Sequence, residues 1–163
     1  MRGGGAARPD RGEVKRAPGS LGTVTVIRLA ELRASPLSVD EVRAAVADPA
    51  AGGVAIFLGV VRDHDHGRAV TQLGYTAHPS AQDELRRAAE KVAVSFGVRA
   101  LAVVHRVGDL AVGDLAVVAA AAGEHRGDAF EACRSLIDEL KAAVPIWKYQ
   151  QFADGDSEWV NSA

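Results

Sequence analysis

A single cysteine, Cys133, stands among 163 residues, so no internal disulfide can form, and such a chain suits a reducing compartment. No apolar run reaches the ~18 residues that a membrane-crossing helix needs. The N-terminus lacks the apolar stretch of a signal peptide. The expected location is therefore the cytoplasm, with no membrane partner. An excess of one charge is missing too. A formal net charge of -2 gives no global pull toward nucleic acid or anionic lipid, so any anion site must be local. No Gly-rich phosphate loop and no GxGxxG follows a strand, which excludes those nucleotide-binding designs. Lysine is scarce: Lys15, Lys91, Lys141 and Lys148 are the four, against fifteen arginines. Where this chain needs a plain positive charge it writes arginine, so each lysine carries information.

What is present reads as one globular domain, with 48% hydrophobic and 25% charged residues, long enough to bury a core. Residues 1–20 are rich in Gly, Pro and Arg without apolar periodicity and read as a disordered tail; the domain covers 21–163. Val24, Val26 and Leu29 suggest a first strand. Ser38 followed by Glu41 is a capping-box pattern that opens a short helix through about Val46. The run GVAIFLGVV, 53–61, reads as a buried strand, leading into Arg62 and the polar loop DHDHGR. Another strand is expected over 70–77. Leu85, Ala88, Ala89, Val92 and Phe96 recur at helical spacing over 80–96, and Gly97 stops that helix. Strands are expected next at 98–104 and 115–121, separated by two Gly-Asp corners. A second long helix covers about 125–144 and ends before Pro145. A strand over 146–152, a DGDS turn and Trp159 close the chain. Two long helices mixed with six or seven strands, some joined by short turns and hence antiparallel, make an α+β domain.

Several residues are placed for chemistry. On the second long helix Phe130, Cys133, Leu136, Ile137, Leu140 and Val144 share an apolar face. Lys141 sits at its edge, either a snorkelling lysine or one held at a cleft wall. His125 and Arg126 lie in the first turn, where a cation opposes the helix dipole unless an anion arrives to be bound. Lys148, across the Pro145 break, points opposite to Trp147 and Tyr149. Arg62 leaves an apolar strand as a potential fork for carboxylate or phosphate. Arg62, His125, Arg126, Lys141 and Lys148 together would make a positive pocket. His64 and His66 invite a metal reading, a hydrolase centre, but no third ligand follows at a recognised spacing. Cys133 reads as a small core residue.

The segments FLGVVRDH, VVHRVGDLAVGD, GEHRGDAFEACRSLIDELKAAVPIWK and EWV, spread from Gly53 to Trp159, resemble the large-subunit family of molybdopterin synthases. That resemblance implies an α/β-hammerhead-like domain with an additional antiparallel sheet. It implies a homodimer within a heterotetramer, each large subunit taking a small ubiquitin-like sulfur carrier whose Gly-Gly tail ends in a thiocarboxylate. The substrate it implies is cyclic pyranopterin monophosphate, with no metal or redox cofactor. Carried over by residue, it implies catalytic roles for Lys141 and Lys148. It implies substrate binding by Val60, Val61, Arg62, His125, Arg126, Lys141, Lys148, Tyr149 and Gln150. The family often has Glu where this chain has Gln150, and a Glu-Ala-Tyr run where it has Thr76-Ala77-His78. The alternatives to sulfur transfer are a metal-dependent hydrolase using His64 and His66 and a non-catalytic partner-binding module of the same fold.

Overall fold

The computed structural model describes residues 25–161. The tail at 1–20 and the strand start at Val24 lie outside the described residues. In chain order the elements are β1 (Ile27–Arg33), α1 (Val39–Ala45), β2 (Gly53–Val60), β3 (His64–Asp65), β4 (Arg68–Ala77) and α2 (Ala81–Ser95). They continue with β5 (Val98–Arg106), β6 (Gly108–Leu110), β7 (Leu115–Gly123), α3 (Arg126–Ala143), β8 (Ile146–Phe152) and β9 (Ser157–Asn161).

One sheet runs β1-β5-β7-β2. Its β1–β5 pair is parallel, and the β5–β7 and β7–β2 pairs are antiparallel. The other runs β3-β4-β8-β9 with β6 also on β4, antiparallel throughout. The α+β class and the additional antiparallel sheet are as the resemblance implies. The two short strands β3 and β6 fall where the sequence reads only loop and corners.

The first sheet is covered on both faces. Leu85, Ala89 and Val92 of α2 and Leu136 and Leu140 of α3 pack with Leu101, Val103, Ala119 and Ala121. Val42 and Val46, from α1 and its C-cap, pack with Ala102, Val104, Val118 and Ala120 on the opposite face. Two-sided burial is why β5 and β7 read as unbroken apolar runs. Each fully buried leucine here contributes roughly 1.5–3 kcal/mol. The alanines of β7 let α3 lie close to the sheet. At the strand's end a Cβ on Gly123 would stand 3.1 Å from the Ala129 nitrogen and the His125 oxygen, tighter than ordinary contact, which favours glycine where α3 begins. Of the capping box only half forms. The Ser38 hydroxyl accepts the Glu41 amide, while the Glu41 carboxylate turns to Arg33.

Two expectations about burial are corrected. β2 is not a buried strand. It ends the sheet, pairing among the described residues only with β7, and Val54, Phe57, Leu58 and Val60 are 42–49% exposed. An apolar run shows that a strand is to be covered; it does not show by which chain. Phe130 likewise, in line with Cys133 and Ile137 on α3, is not buried but 65% exposed. It flanks β2 across a hollow lined by Ile56, Phe57, Cys133 and Ile137.

Candidate functional site

Three pieces of chain meet at the C-terminal end of β2. A register shift between Gly59 and Val60 bulges the strand and re-aims the residues beyond it. The Val61 amide then donates to the Asp114 carbonyl at 3.0 Å, and the Gly113 amide to the Val61 carbonyl at 2.8 Å. Next comes a tight hairpin. His66 and Gly67 both have positive φ, 47° and 77°, as a two-residue turn of this hand demands. The turn sets Asp65 opposite Arg68. Arg68 anchors the hairpin, paired with Asp154 and Asp156 and stacked 3.8 Å over the Phe152 ring. The third piece is the corner at Pro145, where α3 gives way to β8.

Between them lies a cavity of about 430 Å³. Val60, Val61 and Arg62 reach it from the bulge, Lys141 from the last turn of α3, and Lys148 and Gln150 from alternate positions of β8. Tyr75 and His105 complete the wall. Lys141 makes no ion pair among the described residues. Lys91, by contrast, is paired with Glu139 at 2.7 Å. A cation in the final helical turn also suits the negative end of the dipole.

The structure does not bring the other three expected residues into this cavity. Tyr149 points to the opposite face of β8, its ring 4.9 Å from that of Trp159. His125 is the N-cap of α3 and Arg126 its first residue. At ~1.5 Å per residue, Arg126 stands about 22 Å along the helix from Lys141. The five-cation pocket therefore does not form within one chain: Arg62, Lys141 and Lys148 converge, and the His125–Arg126 pair does not.

Asp65, read from the sequence only as part of a polar loop, is the hub of the polar wall. It is 9% exposed. Its Oδ1 accepts from Arg62 Nη2 at 3.1 Å, and its Oδ2 accepts from Gln150 Nε2 at 2.7 Å. Lys148 Nζ stands 3.6 Å from the same Oδ2. The Gln150 hydrogen bond, with the neighbouring Lys148, His66 and Arg62 side chains, holds the carboxyl below the ordinary carboxylate range against the opposing effect of burial. Gln150 also donates to Glu158 Oε1 at 3.0 Å. The sequence pattern held no signal for this, because it joins β3 to the β8–β9 pair across 85 residues of chain.

His105 is 1% exposed. Its Nδ1 lies 2.7 Å from the Arg106 carbonyl. A carbonyl only accepts, so Nδ1 carries the proton and Nε2 is the bare nitrogen. Burial lowers its pKa to about 4, so the ring is neutral at neutral pH. Tyr75 meets it edge-on at 4.9 Å, and burial pushes that phenol up. The histidines of the hairpin are not gathered. His64 pairs with Asp63 at 2.6 Å, and His66 sits in the turn. Among the described residues no three His, Cys, Asp or Glu side chains cluster as metal ligands, and no helix is long and apolar enough to cross a membrane. Cys133 is buried, its thiol pushed up by desolvation.

Residues 32–143 match the family model described as "MoaE protein". The chain is 48% identical over 130 residues to the molybdopterin synthase catalytic subunit 1 of Mycobacterium tuberculosis, covering 77% of this chain and 85% of that one. It is 38% identical over 130 residues to the molybdopterin synthase catalytic subunit of Aspergillus clavatus, 79% of this chain and 66% of the relative. The crystal structure of molybdopterin synthase from Staphylococcus aureus superposes with a TM-score of 0.75 at 31% identity, over 80% of this chain and 96% of the other. With the family model matched over 32–143, these relatives at up to 48% identity and a shared fold, the chain belongs to the MoaE protein family.

Proposed function

We propose that this chain is the catalytic subunit of a molybdopterin synthase, acting in the cytoplasm. It takes sulfur from the C-terminal thiocarboxylate of a small carrier subunit and transfers it to cyclic pyranopterin monophosphate, twice, to build the dithiolene. The observation that carries this reading is the convergence of Arg62, Lys141 and Lys148 on one cavity, in a chain whose net charge is negative and whose lysines are few.

The residue types suit the chemistry. Arg62 offers a planar fork to a phosphate. Once the sulfur has bonded to the pterin, water adds to the carbonyl carbon to give a tetrahedral oxyanion whose collapse breaks the carbon–sulfur bond and leaves a carboxylate, and fixed cations stabilise that oxyanion. Opening the cyclic phosphate requires a proton for the leaving oxygen. Lys141, which has no carboxylate partner among the described residues, serves as the acid–base group.

A second copy of the chain completes the site. The edge of β2 is open and apolar, and Phe130 extends the apolar face onto α3. Two copies related by a twofold axis would pair their β2 edges antiparallel. The eight residues of β2 span about 26 Å at ~3.3 Å each, close to the length of α3 between Arg126 and Lys141. The Gly53 end of one copy, where a Cβ would stand 3.3 Å from the Arg126 Cα, then lies beside the Arg62 end of the other. His125 and Arg126 of the second copy so reach the cavity that they cannot reach in their own chain.

Single-turnover conversion of the cyclic precursor with a thiocarboxylated small subunit tests the reading. Lys141→Ala is expected to fold, dimerise and bind the carrier yet form almost no product. Lys141→Arg is expected to be poor as well, since a guanidinium does not release its proton near neutral pH. Wild-type turnover by Lys141→Ala would refute the mechanism. Turnover by Arg alone would make the role one of charge and not of proton transfer.

A further inference from the structure

Gln150 is held between two carboxylates. Its Nε2 donates to Asp65 Oδ2 at 2.7 Å and to Glu158 Oε1 at 3.0 Å, and only the nitrogen end of an amide can face two acceptors at once. Gln150 is 2% exposed, so a glutamate here would set a third carboxylate, itself buried, between those of Asp65 and Glu158. Of the two carboxylates, Asp65 is the one that reaches the cavity's cations. Its two oxygens divide the work, Oδ1 toward Arg62 at 3.1 Å and Oδ2 toward Lys148 at 3.6 Å. The Lys148 side chain is only 17% exposed and that of Asp65 11%, so the attraction is screened far less than at a surface.

We propose that Asp65 is a positioning residue of the cavity, holding the Lys148 ammonium and the Arg62 guanidinium in place through one carboxylate that Gln150 fixes from the side. This deepens the sulfur-transfer reading and rests on it for the identity of the substrate. The hairpin turn at His66–Gly67 is part of the device, because it delivers Asp65 from β3 to the face of β8 that carries Lys148 and Gln150. Asp65 itself need not touch the substrate. Its removal acts through the two cations: Lys148 loses its carboxylate, and the Arg62 side chain, 64% exposed, loses its only hydrogen-bond partner among the described residues.

The test moves the carboxylate. Asp65→Asn removes it. The triple variant Asp65→Asn, Gln150→Glu, Glu158→Gln places a single carboxylate at position 150, between two amides able to donate to it. Two readouts are taken. One is the rate at which acetic anhydride labels Lys148 relative to Lys141, read by peptide mass spectrometry, which requires no turnover. The other is single-turnover product formation with a thiocarboxylated small subunit. Asp65→Asn is expected to raise the Lys148:Lys141 labelling ratio at least about fivefold and to lower turnover about tenfold, as expected when a charged group loses its hydrogen-bonded partner. The triple variant is expected to bring both back to within about threefold of wild type. Wild-type behaviour of Asp65→Asn overturns the proposal, as does a triple variant no better than Asp65→Asn. Should Asp65→Asn fail to melt cooperatively, the triple variant decides alone, since it also lacks Asp65. A wild-type protein that makes no product refutes sulfur transfer, while the labelling ratio still judges the hold of Asp65 on Lys148.

Discussion

If the His125–Arg126 pair serves the cavity of the other copy, two inactive variants must repair each other. Lys141→Ala damages the cavity of its own chain. Arg126→Ala damages the cavity of its partner. In a mixed dimer, one cavity combines Lys141 of the Arg126→Ala chain with Arg126 of the Lys141→Ala chain and is intact, while the other lacks both. The magnitude comes from geometry and counting. Arg126 and Lys141 lie about 22 Å apart on a rigid helix at ~1.5 Å per residue, so no side-chain rotation joins them within one chain. Random pairing makes about half the dimers mixed, each with one good cavity of two, so about a quarter of wild-type turnover should return in a symmetric dimer. Separately purified variants, each expected to lose at least ~1.5 kcal/mol of phosphate binding or more in the transition state, set the baseline. The assay is single-turnover product formation by co-expressed, differently tagged chains, selected for carrying both tags; this selection raises the expected recovery to about half. No recovery in doubly tagged dimers would refute the shared site and return Arg126 to a solvated helix start.

Exposure and burial set two further outcomes. Phe130, 65% exposed on α3, would bury roughly 100–160 Å² under a second copy, about 2.5–4 kcal/mol at ~25 cal/mol per Å² and counted once per protomer. Phe130→Asp should therefore weaken self-association at least ~100-fold by sedimentation with little change in melting temperature, and an unaltered dimer would place the contact elsewhere. For His105, the folded pKa of about 4 lies below the ordinary 6.5, so folding favours the neutral ring. Its contribution is complete above the unfolded value and is lost as pH falls from ~6.5 through ~4, about 3 kcal/mol in all; urea midpoints from pH 7.5 to 4 should fall less steeply for His105→Gln than for wild type, and equal slopes would contradict it.

The fold was legible where one periodicity had one cause. Leu85, Ala88, Ala89 and Val92 announce α2 because that helix buries a single stripe against its own chain, and the unbroken runs of β5 and β7 announce a sheet covered on both sides. Legibility failed where the cause lay outside the local pattern. The run at 53–60 has the composition of a central strand, yet β2 is an edge whose apolar side chains remain open; hydrophobicity records that surface leaves water and is silent on whose surface meets it. The candidate site divides the same way. Lys141 and Lys148 were conspicuous by rarity and by their shared corner at Pro145, and they do line one cavity. Asp65 was hidden, because an acid among DHDHGR looks like any solvated loop until a two-residue turn folds it back onto β8. The His125–Arg126 pair was visible as an oddity, basic residues at the positive end of a helix, and it lies outside the cavity of its own chain. The proposed pairing of two copies would give both features one physical origin. The open edge of β2 and the unanswered pair at the start of α3 adjoin each other at Gly53 and Gly123, so a surface left uncovered and charges left without a ligand ask for the same second copy.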